Sequence, residues 1–324
     1  MDFRSPRNLF GQVTVTVVAR RMLTARVVEL ELADPDGWDL PPFDAGAHVS
    51  VHLPEGKTRP YSLCGDPVIS GRYRLAVLRQ DDGRGGSAWI HEVVRVGDTL
   101  HVSLPRNNFP LAAEADHHLL IAGGIGLTSF LPMVDVLNRA GRAFHLHACA
   151  GSPEHMPYLR RLRELEAAGV ATLHFDGGEP SAGLDVGGLL DGRGPDVHVY
   201  CCGPSSLMDA VRRATAPWPE DRVHFERFQA EPTIPAGSAD ATVELARSGL
   251  TIAVLAGQSI ARALLRHGAE IDVSCEAGTC GSCRTRYLSG RVDHRDVVLS
   301  AAERRDYMTP CVSGCAGERL LLDL

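Results

Sequence analysis

Cys275, Cys280 and Cys283 follow the pattern C-x4-C-x2-C, and a further cysteine lies downstream in Met308-Thr309-Pro310-Cys311. Three thiolates from one tight loop plus a distant fourth is the arrangement that ligates a plant-type [2Fe–2S] cluster. Gly278, Thr279, Gly281 and Ser282, set between the cysteines, let the backbone curl closely and aim N–H groups at the sulfurs. The competing readings are a zinc site or buried free thiols. Zinc loops usually come as paired C-x2-C units, and here the second pair is missing. Cys315, four residues past Cys311, offers a second candidate for the fourth position.

Other stretches carry weaker chemical signals. Arg59-Pro60-Tyr61-Ser62 places a guanidinium, an aromatic ring and a hydroxyl on or near one strand, a set that suits a phosphorylated aromatic ligand. Gly83-Arg84-Gly85-Gly86-Ser87 opens a helix for which Ser87 is the expected N-cap, and such a turn is an anion site. The plain alternative is a surface arginine and an ordinary hairpin turn. Gly123-Gly124-Ile125-Gly126-Leu127-Thr128 links a strand to a helix and permits close approach of a pyrophosphate. Cys202-Gly203-Pro204 ends a later strand and starts a helix at Pro204, where ligands of parallel sheets collect. Cys202 could equally be a small buried hydrophobe. Phe225, in Val223-His224-Phe225-Glu226-Arg227-Phe228, is a candidate aromatic on the last strand of that sheet. His117, His118, His145 and His147 lie at strand positions without a carboxylate cluster, and we read them as structural.

The elements that must position these groups fall into three parts. Val13, Val15, Val17, Val28, Leu30 and Leu32 alternate with polar residues, the period of half-buried strands, and further short strands follow. The expectation is an antiparallel β-barrel over residues 1–111. From residue 112 to 228 strand and helix patterns alternate, which predicts an α/β domain with a mostly parallel sheet. A Pro/Gly-rich stretch at 229–238 reads as a linker. Residues 239–324, with a hairpin, a helix, the cysteine loop and late strands, fit an α+β β-grasp domain. The fold class is therefore multidomain.

Composition narrows the function classes. The chain has 324 residues and a net charge of −7 with no basic run, which argues against nucleic acid. Its apolar runs are too short to span a bilayer, and Met1–Arg7 has no signal-peptide core, so a cytoplasmic protein with reduced cysteines is expected. Lys57 is the single lysine and sits in a polar turn, which removes a Walker loop and makes an internal Schiff base improbable.

Taken in order, these motifs resemble the ferredoxin-reductase-type flavoproteins, above all the phthalate dioxygenase reductase and vanillate demethylase reductase family. The resemblance covers nearly the whole chain, including the barrel exit Leu104–Pro110. It implies FMN in preference to FAD, with Arg59, Gly85, Gly86 and Ser87 around the phosphate and Tyr61 and Ser62 along the isoalloxazine and ribityl chain. It implies NADH at Gly123, Gly124, Gly126 and Thr128, with Cys202, Gly203 and Pro204 beside the nicotinamide. Phe225 would be the aromatic that yields to nicotinamide, so Ser62, Cys202 and Phe225 are the expected catalytic positions. Cys311 would be the fourth cluster ligand and Cys315 would not. The absence of arginine in Gly151–Glu154 also favours NADH. Ser129 replaces the family's proline and Gly314 its arginine, small departures. The implied activity is NADH-dependent electron transfer through flavin and cluster to the oxygenase component of a Rieske-type aromatic ring-hydroxylating or O-demethylating system. A cytochrome P450 or a separate ferredoxin is the alternative acceptor, and a zinc-stapled nucleotide module without redox activity the alternative of another class. The loop rim at Glu276, Ala277 and Gly278 would face the acceptor.

Overall fold

The computed structural model describes residues 11–54, 57–69, 71–83, 85–193, 196–228 and 240–324. Two compact units result, Met1–Phe228 and Gln229–Leu324. The expected linker at 229–238, the N-terminal heptapeptide and Arg84 lie outside the described residues.

The first unit opens with strands β1 (Gln12–Thr24), β2 (Val27–Ala33), β3 (Ala47–His52), β4 (Thr58–Ser62) and β5 (Arg72–Leu78). Helix α1 (Gly86–Glu92) and strands β6 (Thr99–Ser103) and β7 (Arg106–Asn107) follow. They form one antiparallel sheet in the order β4-β3-β6-β1-β2-β5, with β7 on β3. Alternation decides the packing: Val13, Val15 and Val17 point inward, where they meet Leu30, Leu32, Val49 and Leu75. The two ends of the sheet meet at one bridge, Leu63–Leu75, reinforced by the Cys64 N–H donating to Arg74 O at 2.9 Å. No continuous ladder closes it, so the barrel expected from the sequence is a curled sheet pinned at a point.

Ser87 is not the cap of α1. Gly85 occupies that position with φ 84°, a left-handed conformation that glycine adopts without strain. The Ser87 hydroxyl instead accepts the Gln80 N–H at 3.0 Å, tying the helix to the preceding turn.

The parallel sheet consists of β8 (His117–Gly123), β9 (Ala143–Ala150), β10 (Ala171–Phe175), β11 (Val197–Cys202) and β12 (Val223–Glu226). Its order is β10-β9-β8-β11-β12. Helices α2 (Leu127–Arg139), α3 (Leu159–Ala167), α4 (Val186–Leu190) and α5 (Ser205–Ala214) connect the strands. Pro204 precedes α5 rather than occupying its first turn. The run Leu119–Ala122 is buried throughout because each face of a parallel sheet is covered. Leu120 and Ala122 pack with Phe130 of α2, while Leu119 and Ile121 pack with Met208 and Val211 of α5. The first of these clusters also takes in Val27 and Ala76 of the antiparallel sheet and Cys64 and Phe109 from the connections beside it, giving the unit a shared core.

The second unit has strands β13 (Ala241–Leu245), β14 (Thr251–Val254), β15 (Thr285–Asp293), β16 (Tyr307–Met308) and β17 (Gly314–Leu322), ordered β14-β13-β17-β15-β16. Helix α6 (Ile260–Arg266) buries Ile260, Ala263 and Leu264 against Val243, Ile252 and Leu320. Ser259 caps it, accepting the Arg262 N–H at 3.1 Å. A capping box forms at Ser300–Glu303, with the Glu303 N–H donating to Ser300 Oγ at 3.3 Å and the Ser300 N–H to Glu303 Oε2 at 3.0 Å. What it caps is a single 3-10 turn, Glu303–Arg305. Among the described residues no helix is long and apolar enough to cross a membrane.

Candidate functional site

In the first unit a pocket of about 680 Å³ opens where β4, α1 and the start of α2 meet. Arg59, Tyr61, Ser62, Gly86, Ser87 and Thr128 all line it. Gly86 is there because nothing larger fits: a Cβ would lie 2.7 Å from Leu53 Cδ1 and 3.0 Å from Arg59 Cγ. Burial pushes the Tyr61 phenol up, against a smaller opposing pull from the Arg59 guanidinium, so the ring is a neutral hydrogen-bond donor at pH 7.

Beside this pocket the glycine turn and the Cys202 turn touch. A Cβ on Gly126 would stand 2.2 Å from Cys202 O and 3.0 Å from its Sγ. One on Gly123 would stand 2.6 Å from Pro204 Cδ, and one on Gly203 would stand 2.9 Å from Gly123 Cα. The three glycines thus let the ends of β8 and β11 close on each other. The Thr128 hydroxyl turns back to donate to Ile125 O at 2.9 Å, bracing that turn.

Under Cys202 runs a polar chain that the sequence reading did not assemble. Ser62 Oγ lies 3.1 Å from Ser129 Oγ, and the Ser129 hydroxyl donates to Glu226 Oε2. Glu226, on the edge strand β12, is partly buried, and its carboxylate is set among protein groups. Burial pushes the group up to about 7, opposed by the bond from Ser129. Burial, and next the Glu226 charge, push the Cys202 thiol well above its ordinary range, leaving it uncharged. Ser129, which looked like a minor departure at the helix start, is the middle member of this chain. The signal for Glu226 was present: a glutamate inside the strand pattern Val223–Phe228.

Phe225 is placed elsewhere. It packs with Leu119, Ile121 and Val199 on the α5 face of the sheet, with the Arg212 guanidinium 5.0 Å from its ring centroid. Phe228, 38% exposed, lines the pocket together with Tyr61. Side chains alternate along an extended chain, so residues three apart face opposite ways, and Glu226 and Phe228 share the side that Phe225 leaves.

A second cleft, about 910 Å³ and open to solvent, follows the C-terminal ends of β8, β9 and β10 to the start of α5. Gly123, Gly124, Gly151, Asp176, Pro204 and Leu207 line it. The strand histidines lie on the sheet among local partners: His118 Nε2 is 3.2 Å from Ala112 O, His145 Nε2 2.8 Å from Thr172 Oγ1 and His147 Nδ1 3.0 Å from His174 Nε2, while His198 Nδ1 is 3.0 Å from His224 Nε2. Burial lowers His147 to about 3 and His224 to about 4, so both are neutral.

In the second unit Cys275, Cys280, Cys283 and Cys311 are all buried. Their sulfurs approach pairwise, Cys275 with Cys280 and Cys311, and Cys311 also with Cys283. Hydrogen bonds from Cys280 and then Cys311 hold the Cys275 thiol far below its ordinary range, and the same bonds push its partners up. The amides of Ala277 and Thr279 donate to Cys275 Sγ at 3.3 and 3.5 Å. Gly278, at φ 68°, tucks the loop under its neighbours: a Cβ there would lie 2.7 Å from Val312 Cγ2 and 3.0 Å from Asp296 Cα. Among the described residues no three His, Cys, Asp or Glu side chains are placed to hold a single metal ion. Four buried sulfurs in pairs, with amides aimed at one of them, fit a [2Fe–2S] cluster. Cys315 stands apart on β17 opposite Val292, its S–H donating to Gly317 O at 3.0 Å.

Known proteins align with this picture. Residues 243–315 match the 2Fe-2S iron-sulfur cluster binding domain. The chain is 40% identical to phthalate dioxygenase reductase of Burkholderia cepacia, over 97% of this chain and 98% of that one. It is 41% identical to vanillate O-demethylase oxidoreductase of Pseudomonas putida, over 96% and 100% of the two chains. It is 44% identical to the tert-butanol monooxygenase/tert-amyl alcohol desaturase reductase subunit of Aquincola tertiaricarbonis, over 91% and 90%. A solved structure of phthalate dioxygenase reductase, described as modular for electron transfer from pyridine nucleotides to [2Fe–2S], superposes with a TM-score of 0.75 at 40% identity, covering 97% of this chain and 98% of that one. A cysteine site of this kind, in a chain that also carries a parallel sheet and a curled antiparallel sheet, defines an iron–sulfur oxidoreductase. The chain belongs to the phthalate dioxygenase reductase and vanillate O-demethylase reductase family.

Proposed function

We propose that this protein passes electrons from NADH through FMN and a [2Fe–2S] cluster to the oxygenase component of a Rieske-type system that hydroxylates or O-demethylates an aromatic compound. The observation that carries it is the junction of the Arg59–Ser62 pocket with the Gly123–Thr128 turn and Cys202, in a chain that also holds the four cysteines. Flavin supplies the conversion the two ends require, taking electrons as a pair from a nicotinamide and releasing them singly to a cluster.

The residues then have separate tasks. Arg59, with the Gly85–Ser87 turn, holds the phosphate, and the pocket leaves Tyr61 and Ser62 to line the ring and ribityl chain. The curled first sheet, residues 1–111, serves as the flavin barrel, residues 112–228 serve the nucleotide, and residues 239–324 act as a β-grasp ferredoxin domain. Pyrophosphate takes the Gly123–Thr128 turn, which the glycine contacts leave free of side chains. Phe228, not Phe225, covers the flavin ring and moves aside for nicotinamide, since a half-exposed residue outside the sheet core can move at little cost. Glu226, in contact with Ser129 and next to Cys202, with its value pushed up to about 7, gains or loses a proton near the site around neutral pH. Cys275, Cys280, Cys283 and Cys311 hold the cluster. Relatives named for a dioxygenase and an O-demethylase supply the kind of acceptor.

The purified protein should show flavin and iron–sulfur absorption together, release FMN on boiling, and bleach on addition of NADH. It should then reduce a Rieske oxygenase faster than a P450. A protein without flavin, or one that NADH fails to bleach, would sink the proposal.

A further inference from the structure

One stretch of the second unit has no task in the electron-transfer reading: Asp293-His294-Arg295-Asp296-Val297, at the end of β15. It lies between the two segments that bear the cluster cysteines. On one side the Val297 N–H donates to Gly278 O at 3.1 Å, inside the loop that carries Cys275, Cys280 and Cys283. A Cβ on Gly278 would stand 3.0 Å from Asp296 Cα and 3.2 Å from its Cβ, so loop and stretch are in direct contact. On the other side the Arg295 N–H donates to Ser313 Oγ at 3.5 Å, and the Ser313 hydroxyl reaches Asp296 Oδ1 at 3.5 Å. Ser313 belongs to the turn around Cys311. Its N–H donates to Thr309 O at 2.9 Å, and its hydroxyl lies 3.3 Å from Thr309 Oγ1. The Cys311 turn is thus fastened through Asp296 to the loop of the other three cysteines.

The group at the centre of this brace is a charged one. Among the described residues of the second unit, Asp296 is the one acidic residue that is buried, with its side chain 0% exposed. Its Oδ2 accepts the Leu299 N–H at 2.9 Å and lies 3.5 Å from the partly exposed Arg304 guanidinium. His294 Nδ1 stands 3.6 Å from Oδ1. A buried ion pair adds little stability, because taking both charges out of water offsets most of their attraction. Bracing alone would be met by an amide of the same shape, which offers the same oxygen to the Leu299 N–H. The carboxylate differs from that amide in its charge. An iron–sulfur cluster gains negative charge on reduction, and its potential responds to the charge around it. A negative charge held away from water opposes that gain more strongly than an exposed one.

We propose that Asp296 is a positioning residue of the cluster, which fastens the Cys311 turn to the three-cysteine loop and whose negative charge holds the cluster's reduction potential down. A lower potential favours release of the electron to the acceptor over its retention. The inference rests on the cluster reading above and adds what sets the potential of that cluster.

The test is the midpoint potential of the cluster, read from the EPR signal of its reduced form during an anaerobic dithionite titration of the full chain, which needs neither nicotinamide nor acceptor. Asp296→Asn should keep its iron and raise the potential, so that at a fixed ambient potential the ratio of reduced to oxidised cluster grows roughly 10-fold, about 59 mV for one electron. Arg304→Gln removes the opposing charge and should move the ratio the other way, by less, because that guanidinium is partly exposed. Altered packing alone has no reason to change sign between the two variants. An unchanged potential in Asp296→Asn with iron retained overturns the assignment. If that variant loses its iron, Arg304→Gln decides, and a potential there that stays or rises overturns the inference. Bleaching of the wild-type flavin by NADH is scored separately, so that the assignment of Asp296 can fail while the electron-transfer reading stands. A wild type with no iron–sulfur signal after dithionite ends both.

Discussion

The cysteine site and the pocket of the first unit hold their residues by different means. Three of the four cysteines come from one loop, and the loop is shaped by residues inside it or packed on it: Gly278 beneath Val312, and the amides of Ala277 and Thr279 on Cys275. The pocket draws Arg59, Gly86, Thr128 and Phe228 from four segments spread over most of the first unit. Its geometry depends on backbones that touch where three glycines allow it and on a buried chain of Ser62, Ser129 and Glu226. A site defined by ligands should fail when one ligand is lost and tolerate its neighbours. A site defined by shape should fail through its scaffold.

The sharpest way to break that contrast is at the fourth cysteine. Cys311→Ser should lose most of its iron and acid-labile sulfide while the first unit keeps its flavin and its reduction by NADH. Cys315→Ser should retain its iron, because that sulfur is engaged with Gly317 O on β17 rather than with the other cysteines. Iron and sulfide analysis of the two variants decides it. Loss of iron in Cys315→Ser alone would move the fourth ligand to that position.

The corresponding failure of the shape-defined site is Gly126→Ala. Gly126 has an ordinary helical backbone with φ −57°, so its requirement is purely steric. The new methyl would need the 2.2 Å gap to Cys202 O to open by more than an ångström, which moves the end of β11. Overpacking against backbone should cost about 3 kcal/mol or more. Gly124→Ala is the control: its Cβ meets nothing within 4 Å, and only its φ of 55° opposes the change, at roughly 1 kcal/mol. All three tryptophans, Trp38, Trp89 and Trp218, lie in the first unit, so their fluorescence follows its unfolding alone. Equal losses in the two variants would mean that the Gly126–Cys202 contact does not set the site.

The same contrast explains what could be read from the sequence. C-x4-C-x2-C is a local pattern, and its three positions, with Cys311, are the four buried cysteines whose sulfurs contact one another. The parallel sheet was legible because strand and helix patterns alternate along 112–228, and its first strand carries the fully buried run Leu119–Ala122. The closure of the first sheet was not, since it turns on one bridge between Leu63 and Leu75, whose partners are set by the curl of the five strand pairings that lie between β4 and β5. Phe225 and Phe228 are the same residue type three positions apart, and sequence alone does not say which face of a short edge strand looks inward. Ser87 was a plausible cap because serine favours that position, but a neighbouring glycine took the left-handed turn and the hydroxyl found Gln80. Glu226 was missed because a carboxylate on an edge strand ordinarily faces water. Only the three-dimensional arrangement shows that Ser129 and Cys202 enclose it.

Glu226 also supplies the finest test of a scaffold-defined site, because it makes the stability of the first unit depend on pH. Its ordinary value is 4.5, and in the fold burial raises it to about 7. The folded state therefore prefers the protonated carboxyl, while the unfolded chain releases that proton at lower pH. The contribution to stability is fully present below about pH 4.5, declines between there and pH 7, and is gone above. Integrated over that interval the decline amounts to about 3 kcal/mol. Glu226→Gln, neutral at every pH and able to keep a hydrogen bond to Ser129, should remove it. Urea unfolding followed by tryptophan fluorescence at pH 5 and pH 7.5 should show wild type losing about 2 kcal/mol relative to the variant as pH rises, the rest of the decline lying below pH 5, with the effects of all other groups cancelling in the difference. Parallel pH profiles would mean that water reaches the carboxylate, and the enclosed Ser62–Ser129–Glu226 chain would then not be part of what shapes the pocket.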